Sequence, residues 1–262
     1  MDLAPLVDTL TRSRRTVVVT GAGMGLASGI ATFRGTDAGA VWAHDVMEMG
    51  TNRYFQANPV GSWRWYRSRF ASLQGSKPNA GHHAVAALER WQATRGAEFL
   101  LVTQNIDTLH GQAGSERMCE VHGRADRVRC SRVTCTHGAP RGTLPAAAFD
   151  WAAFDAAPAD DTSPRCPGCG SRIRAHVLWF DEYYTEHADY QFERAIRGMK
   201  QAEAVLFVGT SFSVGITAAA LDTRADKWLI DPGDAEAPLG VRVLKAAQEE
   251  ALPALVAALP VS

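Results

Sequence analysis

The chain has 262 residues, of which 46% are hydrophobic, and its formal net charge is −1. This length can bury a substantial core, and the near-neutral charge excludes a strong basic field for nucleic acid or a membrane surface. No apolar run reaches the roughly 18 residues that span a bilayer, and the first residues lack the pattern of a secretory signal. We therefore expect a cytoplasmic, monomeric protein that contacts neither nucleic acid nor membrane directly.

Short apolar runs alternate with helical patterns along most of the chain. Five runs are typical of buried strands, at residues 16–20, 99–103, 204–209, 227–230 and 241–244. Amphipathic stretches between them, for instance residues 80–95 and 189–201, indicate helices. This alternation predicts an α/β fold with a doubly wound, parallel, Rossmann-like sheet in one domain spanning 1–262.

Two stretches interrupt the alternation. Residues 35–78 are rich in Trp, Tyr and Arg and are interpreted as a helical insertion. Residues 124–174 are rich in Cys, Pro, Asp and Gly, and predict a small module with little core of its own. The remainder is then the Rossmann-like core.

Four cysteines in the second insertion predict a structural zinc site. Cys130 and Cys135 form one close pair and Cys166 and Cys169 another, which suits tetrahedral Zn²⁺ with four thiolate ligands. Disulfides are the alternative, but the expected reducing compartment argues against them. Four protein ligands leave no open position, so the metal should be structural. Cys119 falls outside this pattern and is interpreted as a small buried residue.

Closely spaced glycines directly follow the first apolar run. In Gly21-Ala22-Gly23, the glycines allow a tight turn and a close approach of the backbone to a pyrophosphate group. The full G-x-G-x-x-G fingerprint is not met, because residue 26 is Leu. An ordinary tight turn therefore stays open as an alternative.

A dense polar cluster follows the second apolar run. Residues 103–110 read TQNIDTLH, and residues 120–123 read EVHG. Polar groups at the carboxyl end of a buried parallel strand are costly unless a ligand uses them. The alternative is a polar strand-to-helix turn with a capping Asn or Asp.

Taken together, these motifs resemble the sirtuins, the NAD-dependent protein lysine deacylases. The glycine loop, the TQNxDxLH and ExHG segments, the cysteine pairs, and RAHVLWFDE at residues 174–182 occur in the family's order. The resemblance extends from about residue 17 to residue 231. It implies NAD as co-substrate, one structural Zn²⁺, and acyl-lysine proteins or peptides as partners.

The resemblance also implies roles for single residues. His122 is the base that activates a ribose hydroxyl, as suits a side chain that titrates near neutrality. Asn105 positions the nicotinamide ribose, Asp107 and the backbone of Ile106 hold the carboxamide, and Gln104 lies beside the ribose hydroxyls. The other implied cofactor contacts lie on loops and on a lid: Gly21, Ala22, Gly23, Phe33, Arg34, Gly209, Thr210, Ser211 and Asp231.

Some of the chain's departures from the family pattern concern substrate choice. The resemblance implies that the segment with Val177 and Phe180 contacts the substrate peptide. In this segment, Asp181 replaces the usual Gly. Tyr66 and Arg69, three residues apart on a predicted helix, could grip the carboxylate of a succinyl or malonyl group. The alternative is an amphipathic helix with a solvated Arg.

Three classes of function remain open on the sequence. The first is an NAD-dependent protein lysine deacylase. The second, to which Asp181 gives weight, is a protein ADP-ribosyltransferase or NAD hydrolase on the same fold. The third is a catalytically weak NAD-binding or zinc-ribbon interaction module, against which the intact His122, Asn105 and Asp107 argue.

Overall fold

A computed structural model of the chain describes residues 1–31, 47–233 and 237–260. The expected lid residues Phe33 and Arg34 and the start of the predicted insertion at 35–78 lie outside these ranges. Within them, no helix is both long enough and apolar enough to cross a membrane.

The regular elements follow one another as the alternation predicts. The α-helices whose full bounds lie within the described ranges are α1 (Ala4–Arg12), α2 (Asn52–Ala57), α3 (Pro59–Ala71), α4 (Ala80–Thr94), α5 (Leu109–Gln112), α6 (Ala152–Ala156), α7 (Phe192–Gln201), α8 (Gly215–Leu221) and α9 (Gln248–Ala258). The strands are β1 (Arg15–Thr20), β2 (Glu98–Thr103), β3 (Met118–Glu120), β4 (Gly123–Cys130), β5 (Leu144–Pro145), β6 (Ile173–Val177), β7 (Ala204–Val208), β8 (Asp226–Ile230) and β9 (Val241–Leu244).

The main sheet has six parallel strands in the order β3-β2-β1-β7-β8-β9, which confirms the doubly wound prediction. All five predicted strands are present. The sixth, β3, has only three residues and therefore too little apolar sequence to be recognised. The direction of winding reverses between β1 and β7, and ligands of such sheets bind at this reversal.

The sheet is buried on both faces because successive side chains of a strand point in opposite directions. Val18 packs with α1, α4 and α9 on one face, whereas Val17 and Val19 pack with α7 and α8 on the other. Cys119 of β3 is fully buried in this second cluster, as predicted.

The zinc module is a second, three-stranded antiparallel sheet in the order β5-β4-β6. An aromatic-rich apolar cluster lies between this sheet and the helical insertion: Phe55, Trp63, Tyr66, Val128, Trp151, Phe154, Ile173, Val177 and Trp179 are among its members. The module therefore shares its core with the helical insertion. The aromatic residues of one insertion provide the core of the other, which composition alone does not reveal.

The four predicted cysteines come together at one end of the module. Their sulfur atoms all lie within 4.8 Å of one another, with Cys130 Sγ 3.5 Å from Cys169 Sγ and Cys135 Sγ 3.6 Å from Cys166 Sγ. Tetrahedral Zn²⁺ with bonds of about 2.3 Å places its sulfurs about 3.8 Å apart, whereas a disulfide needs about 2.05 Å. The cysteines are thus positioned to bind zinc.

Asp181 joins the segment after β6 to the helical insertion. Its Oδ1 accepts a hydrogen bond from Asn52 N at 2.7 Å, and its Oδ2 accepts one from Arg53 N at 3.0 Å. Thr51 Oγ1 accepts from Tyr54 N at 3.1 Å. Three of the orphan amides at the start of α2 are therefore satisfied, two of them by a carboxylate distant in sequence.

We expect zinc to contribute stability to the module. Wild-type protein should contain about one Zn²⁺ per chain, and Cys166→Ser should lose metal and unfold at lower temperature, because metal binding is coupled to folding. Elemental analysis and thermal unfolding measure both quantities. Cys119→Ala, which alters the one cysteine outside the cluster, should retain the metal. A chelated, metal-free wild type that melts at the same temperature would contradict the prediction.

Asp181→Gly should destabilise the protein by about 1 kcal/mol, which is the usual cost of losing a helix N-cap. Urea unfolding of the wild type, Asp181→Gly and Asp181→Asn provides the measurement. The Asn variant keeps one acceptor oxygen and should lose less. Equal stability of the Gly variant and the wild type would show that the cap contributes nothing.

Candidate active site

The predicted site residues leave the main sheet at one common edge. Thr20 of β1 pairs with both Thr103 of β2 and Val208 of β7, and the neighbouring strands continue this register. Because all the strands are parallel, the residues that follow them emerge on the same side. This brings together segments that lie far apart in the sequence.

The loops after β1 and β7 are pressed against each other at the reversal of winding. Gly23 N donates to Gly209 O at 2.9 Å, and Gly209 has a φ of +57°. A Cβ on Gly23 would lie 2.7 Å from Gly209 Cα, and one on Gly21 would lie 2.8 Å from Gly209 O. These glycines are thus required by the contact between the loops, a reason that the sequence did not suggest.

Gln104 and Asn105 connect the end of β2 to both of these loops. Gln104 Nε2 donates to Thr20 O at 3.2 Å and to Thr210 Oγ1 at 3.3 Å. Asn105 Nδ2 donates to Gly21 O at 2.9 Å. Both side chains are partly exposed, so they line the same half-open edge as the glycine loop.

His122 is held in place through both its backbone and its ring. Its carbonyl accepts from Leu178 N at 2.8 Å, and Gly123 beside it adopts a φ of +78°. A Cβ on Gly123 would collide with His176 O, which explains the glycine of the EVHG segment. The ring Nδ1 lies 2.9 Å from Gln104 O.

The environment of His122 keeps it neutral at physiological pH. Burial lowers the pKa of His122 to about 4, although the hydrogen bond to the backbone of Gln104 opposes this effect. Because a carbonyl can only accept, Nδ1 carries the proton and Nε2 carries the lone pair. Tyr184 Oη lies 3.1 Å from Nε2.

Asp107 lies two residues before the short helix α5 and binds its first amide, as the capping alternative proposed. Its Oδ1 accepts from Leu109 N at 2.9 Å, and burial raises the pKa of its carboxyl group. Ile106 O accepts from Ala125 N at 2.9 Å, which joins this loop to β4. A cap uses one carboxylate oxygen, so capping and ligand binding by Asp107 are compatible.

The remaining predicted cofactor contacts lie along the same edge. Ala22 is half-buried at the start of a 3₁₀-helix that directly follows β1. Ser211 is exposed, and its Oγ lies 2.8 Å from Ser213 Oγ. Asp231 follows β8, and its Oδ1 accepts from Gly233 N at 2.8 Å.

The predicted substrate residues lie near the apolar cluster of the insertion. Tyr66 is 5% exposed, and burial raises its pKa, while the charge of nearby Arg69 acts in the opposite direction. The Arg69 guanidinium lies over the Trp65 ring at 4.4 Å. Val177 is buried in the same cluster, whereas Phe180 is exposed.

Several polar residues of the site were missed in the sequence. Gln248 of α9 donates to Gly23 O at 2.7 Å, and Asn79 Nδ2 donates to Met24 O at 2.9 Å. Asn79 caps α4, and such a cap is legible in the sequence, but its second contact is not. Gln248 and Tyr184 carry no local signal, because tertiary packing alone brings them to the edge.

Comparison with known proteins places this chain among relatives of one family. A sequence model of the Sir2 family matches residues 21–215. An NAD-dependent protein deacylase of Thermus thermophilus is 38% identical over 206 residues, which cover 78% of this chain and 72% of that protein. One of Mycolicibacterium paratuberculosis is 34% identical over 255 residues, covering 94% and 98%.

The fold gives the same result. A solved structure of a Sir2 homologue in complex with NAD superimposes with a TM-score of 0.77 at 30% identity, covering 98% of this chain and 93% of that one. The match of the family model over most of the chain, the relatives and the shared fold agree with one another. The chain belongs to the Sir2 family.

Proposed function

We propose that this protein is an NAD-dependent lysine deacylase, which removes acyl groups from protein lysines and releases nicotinamide and O-acyl-ADP-ribose. One observation carries the proposal: the in-register parallel strands bring His122, Gln104 and Asn105 to the glycine loop at the reversal of the sheet. The relatives named NAD-dependent protein deacylase support it.

The edge of the sheet offers the groups that NAD needs. NAD supplies a ribose carbon that becomes electrophilic as nicotinamide leaves. The glycine loop approaches the diphosphate, and Gln104 and Asn105 offer amides that can hold the ribose. We assign Asp107, whose raised pKa reflects its burial, to the carboxamide, from which its second oxygen can accept a hydrogen bond. The zinc cluster has four ligands from the protein and serves stability alone.

His122 acts as the general base. Its lowered pKa leaves Nε2 unprotonated at neutral pH, and the hydrogen bond from Nδ1 to Gln104 O fixes the ring orientation. The acyl oxygen of the substrate lysine needs no base to attack an electrophilic carbon that is held against it. The later attack of a ribose hydroxyl on the acyl carbon does need a base, because the hydroxyl must lose its proton. His122 therefore serves this second step.

The substrate is an acyl-lysine peptide that enters beside the segment after β6. Exposed Phe180 offers a surface for the peptide, and Tyr66 and Val177 form part of the apolar wall behind it. Arg69 is close enough to Tyr66 for its charge to affect the phenol. We propose from their i, i+3 spacing that the pair grips an acidic acyl group, which makes succinyl-lysine and malonyl-lysine candidate substrates besides acetyl-lysine.

The alternative, an ADP-ribosyltransferase or NAD hydrolase, loses its motivating feature. It rested on Asp181 in place of the usual Gly, and Asp181 caps α2 instead. Incubation with NAD and acetyl- or succinyl-lysine peptides, followed by mass spectrometry, tests the choice. Deacylated peptide with O-acyl-ADP-ribose supports deacylation, whereas ADP-ribosylated protein or free ADP-ribose alone would establish the alternative.

His122→Ala should reduce formation of deacylated peptide by at least about 100-fold, because general-base catalysis contributes on that scale. NAD affinity, measured by calorimetry, should stay within a few-fold, since the base is not a main binding group. His83→Ala changes an exposed histidine of α4 and is the matched control. Near-normal deacylation by the His122 variant would remove this residue from the mechanism.

Arg69→Met should lower kcat/KM for a succinyl peptide by roughly ten- to a hundredfold and leave the acetyl peptide nearly unchanged. The reason is that a charge-assisted hydrogen bond contributes about 1.5–3 kcal/mol. Arg64→Met removes an exposed charge from the same helix and serves as the control. An equal fall for both peptides would make Arg69 structural.

A further inference from the structure

The Tyr184 hydroxyl is hydrogen-bonded to the only lone pair with which the neutral His122 ring can act as a base. Nδ1 must carry its hydrogen toward Gln104 O, so the neutral ring has one acceptor, Nε2. The Tyr184 hydroxyl lies 3.1 Å from this atom and must donate to it. The backbone of Ile216 lies close enough to the phenol to lower its pKa, against the larger effect of burial.

These contacts form a chain of hydrogen bonds with a fixed direction. The carbonyl of Gln104 can only accept, so the direction of the chain is set from that end: Nδ1–H donates to Gln104 O, and Nε2 accepts from the Tyr184 hydroxyl. When His122 becomes an imidazolium, Nε2–H must donate to the Tyr184 oxygen. The hydroxyl hydrogen of Tyr184 must then be directed at a third group in the site. In the reverse direction, that group supplies the hydrogen.

We propose that Tyr184 is a second catalytic residue, which relays the proton of the attacking ribose hydroxyl to Nε2 of His122. The inference rests on the proposed deacylase function. In this step the ribose O–H bond breaks and its proton passes to the Tyr184 oxygen, while the Tyr184 hydroxyl proton passes to Nε2. The electron pair left on the ribose oxygen forms the new bond to the acyl carbon, and the π pair of that carbon's C=N bond, formed in the first step, moves onto the lysine nitrogen. His122 ends as an imidazolium, Tyr184 is again neutral, and no redox change occurs.

The surroundings of Tyr184 suit this role. Its ring stacks on Phe192, with centroids 5.0 Å apart and planes at 15°, and lies 5.7 Å from the His122 ring. Burial raises the pKa of Tyr184, against the opposing effect of the Ile216 backbone, so the phenol keeps its proton at neutral pH. The hydroxyl is therefore both fixed in position and protonated, as a relay requires.

The test compares the wild type with Tyr184→Phe, which keeps the stacked ring and removes only the hydroxyl. Loss of the relay should reduce formation of deacylated peptide by about 10- to 100-fold, within the usual scale of general acid–base catalysis. Peptide-dependent exchange of labelled nicotinamide reports the earlier step, which needs no base, and should stay within about threefold of the wild type. Tyr183→Phe changes the adjacent tyrosine, which is 75% exposed, and should alter neither rate.

A second readout needs neither NAD nor peptide. Nitrogen NMR of the His122 ring should show a shift of the Nε2 resonance in Tyr184→Phe, because its hydrogen-bond donor is lost, and no shift in Tyr183→Phe. A resonance that does not move would overturn the inference, as would a Phe variant that deacylates as fast as the wild type. A wild type that yields no deacylated peptide would instead overturn the proposed function, and the NMR comparison would still report on the hydrogen bond.

If Tyr184→Phe does not fold, fluorotyrosine at position 184 replaces it. This analogue keeps the shape of the ring and lowers the pKa of the phenol. A relay should then give a changed deacylation rate with unchanged nicotinamide exchange. An unchanged deacylation rate would count against the relay.

Discussion

The site depends above all on the close contact between the loops after β1 and β7. Gly23 N donates to Gly209 O, and any side chain on Gly209 would meet Met24 N at 2.5 Å. Gln104 can bridge Thr20 and Thr210 only because this contact holds the two strand ends together. The carbonyl of Gln104 orients His122. The position of the base therefore depends on how the glycine-containing loops after β1 and β7 pack together.

A buried ionic cluster fixes the segment that follows β6. Glu182 accepts from Arg174 and, at 3.2 Å, from Arg129, and all three side chains are at most 5% exposed. Burial would raise the pKa of Glu182, but these guanidinium groups lower it. Removing one partner would leave a buried charge unpaired, which is a large penalty. The segment that carries Asp181 and Tyr184 is thereby tied to the zinc module.

The sequence allowed most of the fold to be predicted, because the information is local. Buried parallel strands are apolar runs, and four thiolates at close spacing have few other uses. What escaped prediction depends on distant contacts. The core of the zinc module is shared with Trp63 and Phe55 of the other insertion, and β3 is too short for a pattern. The departure at Asp181 looked like a change in chemistry, but its partners Asn52 and Arg53 lie some 130 positions earlier.

The contacts of His122 with Gln104 and Tyr184 also bear on how a base with so low a pKa can work. With its pKa lowered to about 4, His122 is a weaker base than free imidazole, and a general base works best when its pKa is near the working pH. Burial disfavours the imidazolium, so the protein must stabilise the imidazolium once it forms. Gln104 O accepts from Nδ1–H and the Tyr184 oxygen can accept from Nε2–H, so both hydrogens of the imidazolium have partners in place. Tyr184 thus supports either charge state of His122 through rotation of a single hydroxyl, which a hydrocarbon side chain at this position could not do.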